Sequence, residues 1–586
     1  MNISFNHIRT TLRGIFYIYK LAPVESLVTN LLFIIATAVE MYSITVAGQF
    51  IDYTVEILST WETFSFKDYF YSDSFLYLVI FLITWIVLTQ ITNFRLYIDE
   101  VILRKYYRHV KTLLIDTISK QNMQEIESKD FQDLLLLVPW YSFDSLIFAY
   151  RAFSEMFRFL FRAVSSTVII ISTMGISGLL IFVFALPQAV VEFIYKRKLA
   201  KFKNDSIEDL KLINYLTNFT LDIPNFVEMK VDGIFNRIKN SYYDNSAKFD
   251  STMVQQFFHL TTDKGVLSAI GQILTRAYAI LIIAVSVVQK ISIGQFKALF
   301  DYSNTAYDSF VGFATQGFLI MEQGYYIDNF FKFIDYKGFG DVRHGEKKLN
   351  RVTPHLELDT LDFQYRGAQH KSLENVSMSI KSGEKILIVG GEGSGKSTLI
   401  KVLSGLYEIT AGDYYIDGLS VRELKRGELK NKISLVTQDF NKYYFTLRKN
   451  ITIASTNKTF NESLYEKVCK ICQIDKIQKE KNISDNQILG RLFDKGIDIP
   501  LGYWQRIAIA RALYRNKQIF ILDEPFSYID PESRQIILKN ILDFIGTDKT
   551  LIMISQDKEN IGLFDNVYQL KNGKLTGIMK NGNIRR

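Results

Sequence analysis

Apolar residues are distributed unevenly along the chain: long apolar stretches fill the first half, and the second half lacks them. A helix that crosses a bilayer needs about 20 predominantly apolar residues. Five stretches approach that length once flanking residues are included: Leu27–Gly48, Phe75–Ile91, Phe159–Ile176, Leu179–Ile194 and Val266–Val288. The pattern therefore predicts five membrane-spanning helices in the first half of the chain.

A sixth stretch, from Phe296 to Met321, is apolar but interrupted by acidic and amide residues such as Asp301 and Asp308. It fits either a soluble helix after the membrane domain or a span whose polar side lines a water-filled path. An even number of spans returns the chain to the side on which it began. We predict six.

Basic residues are concentrated in three of the segments that flank these spans. They are Arg9, Arg13 and Lys20; Arg104, Lys105, Arg108, Lys111, Lys120 and Lys129; and Lys196, Arg197, Lys198, Lys201, Lys203 and Lys211. By contrast, Asp52–Asp73 has one basic residue and Ser172–Gly178 has no charge. Because basic loops stay in the cytoplasm, we expect a multi-pass protein of the cytoplasmic (inner) membrane with both termini cytoplasmic. The net charge of +8 then reflects topology, so we expect no nucleic-acid partner, and we expect no cleavable signal peptide.

Two of the basic segments connect spans, the second to the third and the fourth to the fifth. Both connections are long and have few helix breakers, which predicts that the spans continue as helices into the cytoplasm. Glu127–Leu135 and Asp222–Lys230 would then lie far from the bilayer. They are either solvated hairpin tips or the surfaces on which a cytoplasmic domain acts, and we favour the second interpretation.

Composition changes after about residue 330, where glycines and lysines indicate a linker. Strand-like and helical patterns alternate from Leu356 onwards, which is typical of an α/β domain with a largely parallel sheet. The predicted organisation is a membrane all-α domain with six long transmembrane helices at 1–330, a linker at 331–355 and an α/β domain at 356–586.

A glycine-rich loop follows the apolar run Lys385–Val389 and leads into a helical pattern. The loop consists of Gly390, Gly391, Glu392, Gly393, Ser394, Gly395, Lys396, Ser397 and Thr398. This G-x-x-x-x-G-K-S pattern between a strand and a helix predicts a phosphate-binding loop, in which glycines let backbone N–H groups approach one phosphate chain. Lys396 would reach the β- and γ-phosphates and Ser397 would ligate Mg²⁺. The sequence therefore predicts a nucleoside triphosphate site.

An acidic pair, Asp523 and Glu524, ends the apolar run that begins at Ile519. A strand that delivers an aspartate suits a Mg²⁺ ligand, and the adjacent glutamate suits a general base that orients the attacking water.

Together these motifs make the chain resemble an ATP-binding cassette exporter of the six-helix, half-transporter kind, along nearly its whole length. The resemblance implies binding of ATP and Mg²⁺ and a head-to-tail dimer with two ATP molecules between the cassettes. It also implies that Tyr365 stacks on adenine and that Gln438 senses Mg²⁺ and contacts the membrane domain. Ser527–Asp530 matches the loop that crosses the dimer interface.

The signature region, at residues 496–512, departs from the family pattern. This chain has Ile499, Pro500, Leu501, Gly502 and Tyr503 where the family has Leu-Ser-Gly-Gly-Gln. Pro500 has neither a hydroxyl nor an N–H, and Leu501 is bulky, so we expect a weakened γ-phosphate site that retains Gly502. The following Trp504-Gln505-Arg506 resembles exporters associated with peptide substrates.

Gln556 stands where the family has a switch histidine. Glutamine donates a hydrogen bond but cannot shuttle a proton. We expect an ATP hydrolase coupled to export of an unidentified substrate, with slow hydrolysis that depends on Glu524, Gln556 and Gln438. The alternative is an ATP-gated or regulatory membrane subunit with little or no hydrolysis. Since two such defects would coincide at each site of a homodimer, we favour a heterodimer with a second half-transporter, and a homodimer remains open.

A charged residue within a predicted span and a pair of cysteines need a separate interpretation. Glu40 lies mid-span and either lines a cavity or pairs with another span. Cys469 and Cys472 form a C-x-x-C, but two cysteines alone supply too few zinc ligands, and we predict neither a redox nor a metal role for them.

Overall fold

The computed structural model describes residues 5–59, 66–138, 142–205, 207–221, 225–336, 345–349, 353–425, 427–455, 459–556, 561–580 and 583–585. They form two compact units. One lies within Met1–Lys120 and Ser128–Tyr336, and the other combines Gln121–Glu127 with Lys337–Arg586. We name Gln121–Glu127 the docking segment, because it belongs to the second unit although the chain returns to the first unit after it.

The first unit is helical. Its helices are α1 (Phe5–Leu21), α2 (Pro23–Ser59), α3 (Phe66–Tyr69), α4 (Asp73–Lys120), α6 (Lys129–Leu137), α7 (Phe143–Met174), α8 (Leu180–Asp205), α9 (Ile207–Leu221), α10 (Phe226–Val231), α11 (Ile234–Gln289), α12 (Ile293–Glu322) and α13 (Gly324–Ile334), while α5 (Met123–Ile126) lies in the docking segment. A 3₁₀ turn, Gly175–Leu179, separates α7 from α8.

A long helix covers most or all of each of the six predicted spans, although α7 ends at Met174 and α8 begins at Leu180. By length and composition, three helical stretches of the described chain could cross a membrane: Pro23–Ser59, Asp73–Lys120 and Phe143–Leu199, the last of which contains the third and fourth predicted spans. Ala277–Gln289, which overlaps the fifth predicted span, is a shorter apolar helix. With 48 residues, α4 is about 70 Å long, and it therefore extends well beyond an apolar layer of about 30 Å.

The apolar core of this unit lies where α2, α7, α11 and α12 meet. Met41, Ile170, Tyr278 and Tyr302 are all buried there. The Tyr302 hydroxyl donates to the Met41 carbonyl at 2.7 Å, so a buried polar group is satisfied without water. Glu40 pairs with Arg162 of α7 across the same helices, which selects the second of the two alternatives left by the sequence.

The second unit contains two sheets. Its strands are β1 (Leu356–Phe363), β2 (Leu373–Ile380), β3 (Lys385–Val389), β4 (Ala411–Ile416), β5 (Leu419–Ser420), β6 (Ile433–Val436), β7 (Ile519–Asp523), β8 (Thr550–Ile554), β9 (Asn566–Lys571), β10 (Lys574–Lys580) and β11 (Asn583–Arg585). One sheet has the order β2-β1-β4-β5 and the other β11-β10-β9-β3-β8-β7-β6. In the larger sheet β9, β3, β8, β7 and β6 pair in parallel, as the sequence predicts.

Helices cover this sheet. They are α14 (Lys396–Leu403), α15 (Glu428–Lys432), α16 (Leu447–Thr452), α17 (Glu462–Ile471), α18 (Ile474–Lys481), α19 (Leu501–Arg515) and α20 (Pro531–Ile545). β3, β7 and β8 are buried apart from Lys385 at the start of β3, which explains their almost continuously apolar sequences. Cys469 and Cys472 lie in the core cluster around α17 and α19. Burial raises the pKa of the Cys469 thiol to about 12, so its thiolate is scarce at neutral pH.

Candidate nucleotide-binding site

The predicted motifs meet at one edge of the larger sheet. β3, β8, β7 and β6 are adjacent and parallel, with Ile388 opposite Ile554, Ile554 opposite Asp523, and Leu522 opposite Val436. Because the four strands are parallel, their carboxyl ends lie at the same edge of the sheet, where ligand sites of parallel α/β sheets form. The glycine loop, Gln556, the acidic pair and Gln438 therefore come from different parts of the chain to the same edge.

The glycine loop needs its glycines for close backbone approach. A Cβ atom on Gly390 would lie 2.5 Å from the Leu570 carbonyl oxygen, and one on Gly395 would lie 2.8 Å from the Ser372 carbonyl oxygen. Gly395 also has φ +100° and is the N-cap of α14, a conformation that side chains rarely adopt. The loop thus presents its backbone N–H groups at a helix N-terminus, which favours an anion.

Lys396 lies beneath this loop. Its Nζ donates to the carbonyl oxygens of Gly390 and Gly391 at 3.0 and 2.8 Å, and the residue is only 8% exposed. Ser397, the next residue, is exposed. A cavity of about 500 Å³ opens here, and its lining includes His370, Lys371, Ser372, Asn572 and Gly573 together with residues 393–398. Its basic and N–H-rich lining suits a polyphosphate.

Asp523 is buried, with 6% exposure, at the end of β7. Burial, and then the charge of Glu524, raise the pKa of its carboxyl to about 6, while Lys396 opposes the shift. A carboxylate held in a dry position beside a second carboxylate needs a cation, and Mg²⁺ fits this need together with the Ser397 hydroxyl.

Glu524 and Gln556 are in direct contact. The Gln556 Nε2 donates to the Glu524 Oε1 at 2.8 Å, so the residue in the switch position holds the predicted base. Glu524 also has φ +43°, a strained backbone conformation for a residue with a side chain. Gln438, two residues beyond the end of β6, is exposed. The structure brings all three predicted catalytic residues to the same edge.

Tyr365 lies beside α14 rather than in the lining of the phosphate cavity. Its hydroxyl is 3.2 Å from Thr398 Oγ1, and its half-buried ring meets the rings of Phe363 and Tyr407 edge-on at 5.0 and 5.6 Å. It is thus fixed next to the phosphate loop, and its role in adenine stacking stays a prediction.

The signature region forms the start of α19, with Pro500 as N-cap and no side-chain cap hydrogen bond. A Cβ atom on Gly502 would lie 2.5 Å from the Tyr528 carbonyl oxygen, so this glycine allows α19 to contact the loop after the acidic pair. Gln505 strengthens the contact: its Nε2 donates to the Glu524 carbonyl at 3.2 Å, and its Oε1 accepts from the Tyr528 N–H at 2.8 Å.

A second cavity, of about 590 Å³, lies at this helix start and is lined by residues that include Pro500, Gly502, Arg506 and Asp530. It shares no lining residue with the phosphate cavity. The signature helix and the phosphate loop of one chain therefore face different cavities.

The docking segment packs against the residues after α14. The Tyr407 hydroxyl contacts both Glu127 carboxylate oxygens, at 2.8 and 2.7 Å, and the Tyr407 ring stacks on Phe363 at 5.4 Å. Burial and the contact with Glu127 raise the pKa of the Tyr407 hydroxyl. Of the predicted stretch Glu127–Leu135, Glu127 belongs to the second unit and residues 128–135 belong to the helical unit, while Asp222–Pro224 lie outside the described residues. The role of these stretches as surfaces on which the cytoplasmic domain acts stays a prediction.

Sequence reasoning missed three groups: Gln505, Tyr407, and the Asn572-Gly573 turn beside the phosphate loop. The turn has a local signal, since Asn-Gly between two strands predicts a tight hairpin, and both residues have positive φ. The contacts of Gln505 with Glu524 and of Tyr407 with Glu127 have no such signal, because the two residues of each pair lie 19 and 280 positions apart in sequence.

These features define two units in one chain: a nucleotide-binding unit with a phosphate loop, and a helical unit with helices long and apolar enough to cross a membrane. The family model for the ABC transporter matches residues 373–527, which contain the glycine loop, the signature helix and the acidic pair. Residues 373–527 therefore form an ABC transporter domain. The predicted fold class, a helical unit followed by an α/β nucleotide-binding unit, is confirmed.

Relatives and solved structures agree with this assignment. The chain is 28% identical over 357 residues to the subtilin transport ATP-binding protein SpaT of Bacillus subtilis, covering 60% of this chain and 57% of that protein. It is 34% identical over 225 residues to the ATP-dependent lipid A-core flippase of Blochmanniella pennsylvanica, covering 38% of each. These matches span well under two thirds of the relatives. A bacterial Atm1-family ABC exporter with ATP bound has a TM-score of 0.74 and 16% identity, over 96% of this chain and 95% of that chain, which shows the fold.

Proposed function

We propose that this chain is half of an ATP-driven exporter of the cytoplasmic membrane. The observation that carries the proposal is the convergence of the phosphate loop, Asp523, Glu524 and Gln556 at one sheet edge, in a chain with the fold of an exporter along nearly its full length. The basic segments that flank the spans support a cytoplasmic position for the nucleotide-binding unit.

The residues at this sheet edge have different roles in ATP binding and hydrolysis. Backbone N–H groups of the loop and Lys396 would bind the phosphates. Ser397 and Asp523 would hold a Mg²⁺ ion, which would supply positive charge beside the phosphates. Glu524 accepts a proton from the attacking water. Gln556 orients the Glu524 carboxylate through its amide N–H, but it has no proton to exchange near neutral pH, and hydrolysis is therefore slow.

The two separate cavities support a dimer. Since the phosphate loop and the signature helix of one chain line different cavities, a complete site needs the signature helix of a second chain. In a homodimer, each site would combine Gln556 with Pro500. With a partner whose motifs are intact, each site would contain only one of these two departures from the family pattern. We therefore favour a heterodimer.

The test of export-coupled hydrolysis uses purified protein in lipid nanodiscs and measures phosphate release. Glu524→Gln is expected to reduce it by about a hundredfold or more, and Glu466→Gln, an exposed glutamate on α17, serves as the matched control. A Glu524→Gln rate equal to that of the unchanged protein would refute the assignment of the base.

A second candidate is favoured by the same departures: a regulatory or ATP-gated membrane subunit whose nucleotide-bound dimer persists. Absence of phosphate release in the unchanged protein, with nucleotide still bound, would support this subunit and reject the pump.

Native mass spectrometry of the chain expressed alone tests the partner, because a stable homodimer with brisk hydrolysis would contradict the heterodimer. The relatives' names print two different cargoes, subtilin and lipid A-core, so co-purified small molecules must identify the substrate.

A further inference from the structure

A third cavity, of about 530 Å³, lies in the second unit. It shares no lining residue with the phosphate cavity or with the cavity at the start of α19. Its wall is formed by the docking segment, the last turn of α14, β4, α15 and residues within 405–409 and 420–425. Small-molecule sites in proteins usually have volumes of about 300–1,000 Å³, so this cavity is large enough for an organic ligand.

The inner wall of this cavity is apolar. Val402, Tyr414, Leu424 and Leu429 line it, and all four belong to one buried core cluster in which none of them is more than 6% exposed. The Tyr414 hydroxyl already donates its hydrogen bond to the Leu403 carbonyl at 3.1 Å. Such a surface offers water few hydrogen bonds, so an apolar ligand group would gain free energy by covering it.

The rim of the cavity is basic. Arg422, Lys425 and Lys430 line it and are exposed, whereas Glu408 is the one acidic residue among the described residues of the lining. Asp413, outside the lining, is 3.8 Å from Arg422, but 56% of the Arg422 side chain stays exposed. Three basic and one acidic side chain give the lining a formal charge of +2, or +1 with Asp413 included. This charge favours an anionic ligand.

The docking segment forms one side of the cavity. Asn122 lines it, and its Nδ2 donates to Glu408 Oε1 at 3.4 Å, while the Glu408 N–H donates to Gln124 Oε1 at 3.3 Å. Both hydrogen bonds are long. Val402, another lining residue, lies in the last turn of α14, which begins at Lys396 of the phosphate loop. A molecule in the cavity would therefore contact both the segment that connects α4 with α6 and the helix that follows the phosphate loop.

We propose that this cavity binds a hydrophobic monoanion, with its apolar body against Val402 and Leu429 and its acidic group at Arg422 and Lys425. Bound there, the anion adds contacts between Asn122 and the residues after α14, and it thereby strengthens the attachment of the docking segment. The binding does not depend on the proposed export function. Its consequence does: the anion regulates how ATP hydrolysis is coupled to the helical unit, and this step rests on the proposed function.

The experiment compares two fluorescent probes with the same aromatic body: 8-anilinonaphthalene-1-sulfonate, a monoanion, and N-phenyl-1-naphthylamine, which lacks the sulfonate. Binding to the full chain in zwitterionic nanodiscs is measured without ATP, and binding to protein-free nanodiscs is subtracted. Arg422→Gln combined with Lys425→Gln should weaken sulfonate binding by about fivefold or more and change binding of the uncharged probe less than twofold. Lys470→Gln combined with Lys479→Gln removes the same charge from exposed positions on α17 and α18 outside the three cavities, and it should change neither affinity by more than twofold.

Amide hydrogen exchange shows where the sulfonate probe binds. At saturation the probe should slow exchange of the docking segment by about threefold or more, because it stabilises the attached form. Val421→Trp, which fills the cavity from a half-buried position in its wall, should abolish this slowing. Binding of a fluorescent ATP analogue by each variant shows that the chain is folded.

Equal weakening of sulfonate binding in the two double variants, or unchanged exchange of the docking segment, would overturn the proposal. Sulfonate binding by the monomer alone would also overturn it, because a second copy of the chain would then cover the cavity. Since no ATP is added, failure of these measurements alongside normal phosphate release refutes this site and leaves the export function. The expected probe binding without any phosphate release refutes the pump and leaves this site.

Discussion

Asp523 offers the sharpest test of the nucleotide site, because its environment changes the pH at which it can hold Mg²⁺. Its pKa is raised from 3.8 to about 6, chiefly by burial and secondly by Glu524. The difference of roughly 2 pH units corresponds to about 3 kcal/mol against the charged form. A carboxyl with a raised pKa keeps its proton to higher pH, so Mg²⁺-dependent nucleotide affinity should fall as the pH drops through about 6 and level off above about 7.

The expected size follows from the protonated fraction. At about pH 5 roughly nine tenths of Asp523 would carry a proton, and at about pH 7 roughly one tenth, which predicts a tenfold loss of affinity between the two. With an aspartate of ordinary pKa near 3.8, the site would lose less than about a tenth of its affinity over the same range. The assay is a titration of fluorescent ATP with and without Mg²⁺ at each pH.

The nucleotide's own phosphates titrate in this range, and the Asp523→Asn variant isolates their share because it has no carboxyl at this position. We expect the variant to bind more weakly at about pH 7 and to show a clearly shallower pH dependence. An identical pH dependence in the two proteins would refute the reasoning, since it would mean that the carboxyl does not bind the metal or titrates elsewhere.

Further substitutions test other contacts. Lys396→Ala should weaken nucleotide binding by about tenfold or more, whereas Lys574→Ala, which removes a surface pair with no role at the loop, should leave it within twofold; equal binding by both variants would show that the loop is not used. Tyr407→Phe keeps the ring contacts but removes the hydroxyl that meets the docking segment, so amide hydrogen exchange of that segment should accelerate by about fivefold to tenfold, and unchanged exchange would contradict the contact. Gly502→Ala should destabilise the protein by about 1–3 kcal/mol because its Cβ meets a backbone oxygen, and calorimetry should find Gly577→Ala, with no atom within 4 Å of the added Cβ, close to the parent.

The sequence predicts the nucleotide-binding unit well because its signals are local. The glycine loop needs positive φ and close backbone approach at fixed positions, and a buried parallel strand must be apolar along its whole length, as β7 is. The direct Gln556–Glu524 hydrogen bond is harder to predict from the sequence, since it depends on β7 and β8 being neighbours. The sequence identifies both residues but says nothing of their contact.

The long helices show where such reasoning stops. Helical spacing predicts which residues of α2, α7 and α12 share a face, but not which faces meet, because apolar side chains allow many packings of similar free energy. Glu40 and Arg162 are 122 positions apart, and each is an unexplained charge in an apolar segment when considered alone. Their pairing explains both charges at once. Only the three-dimensional arrangement therefore distinguishes a charge that is paired with another helix from one that lines a cavity.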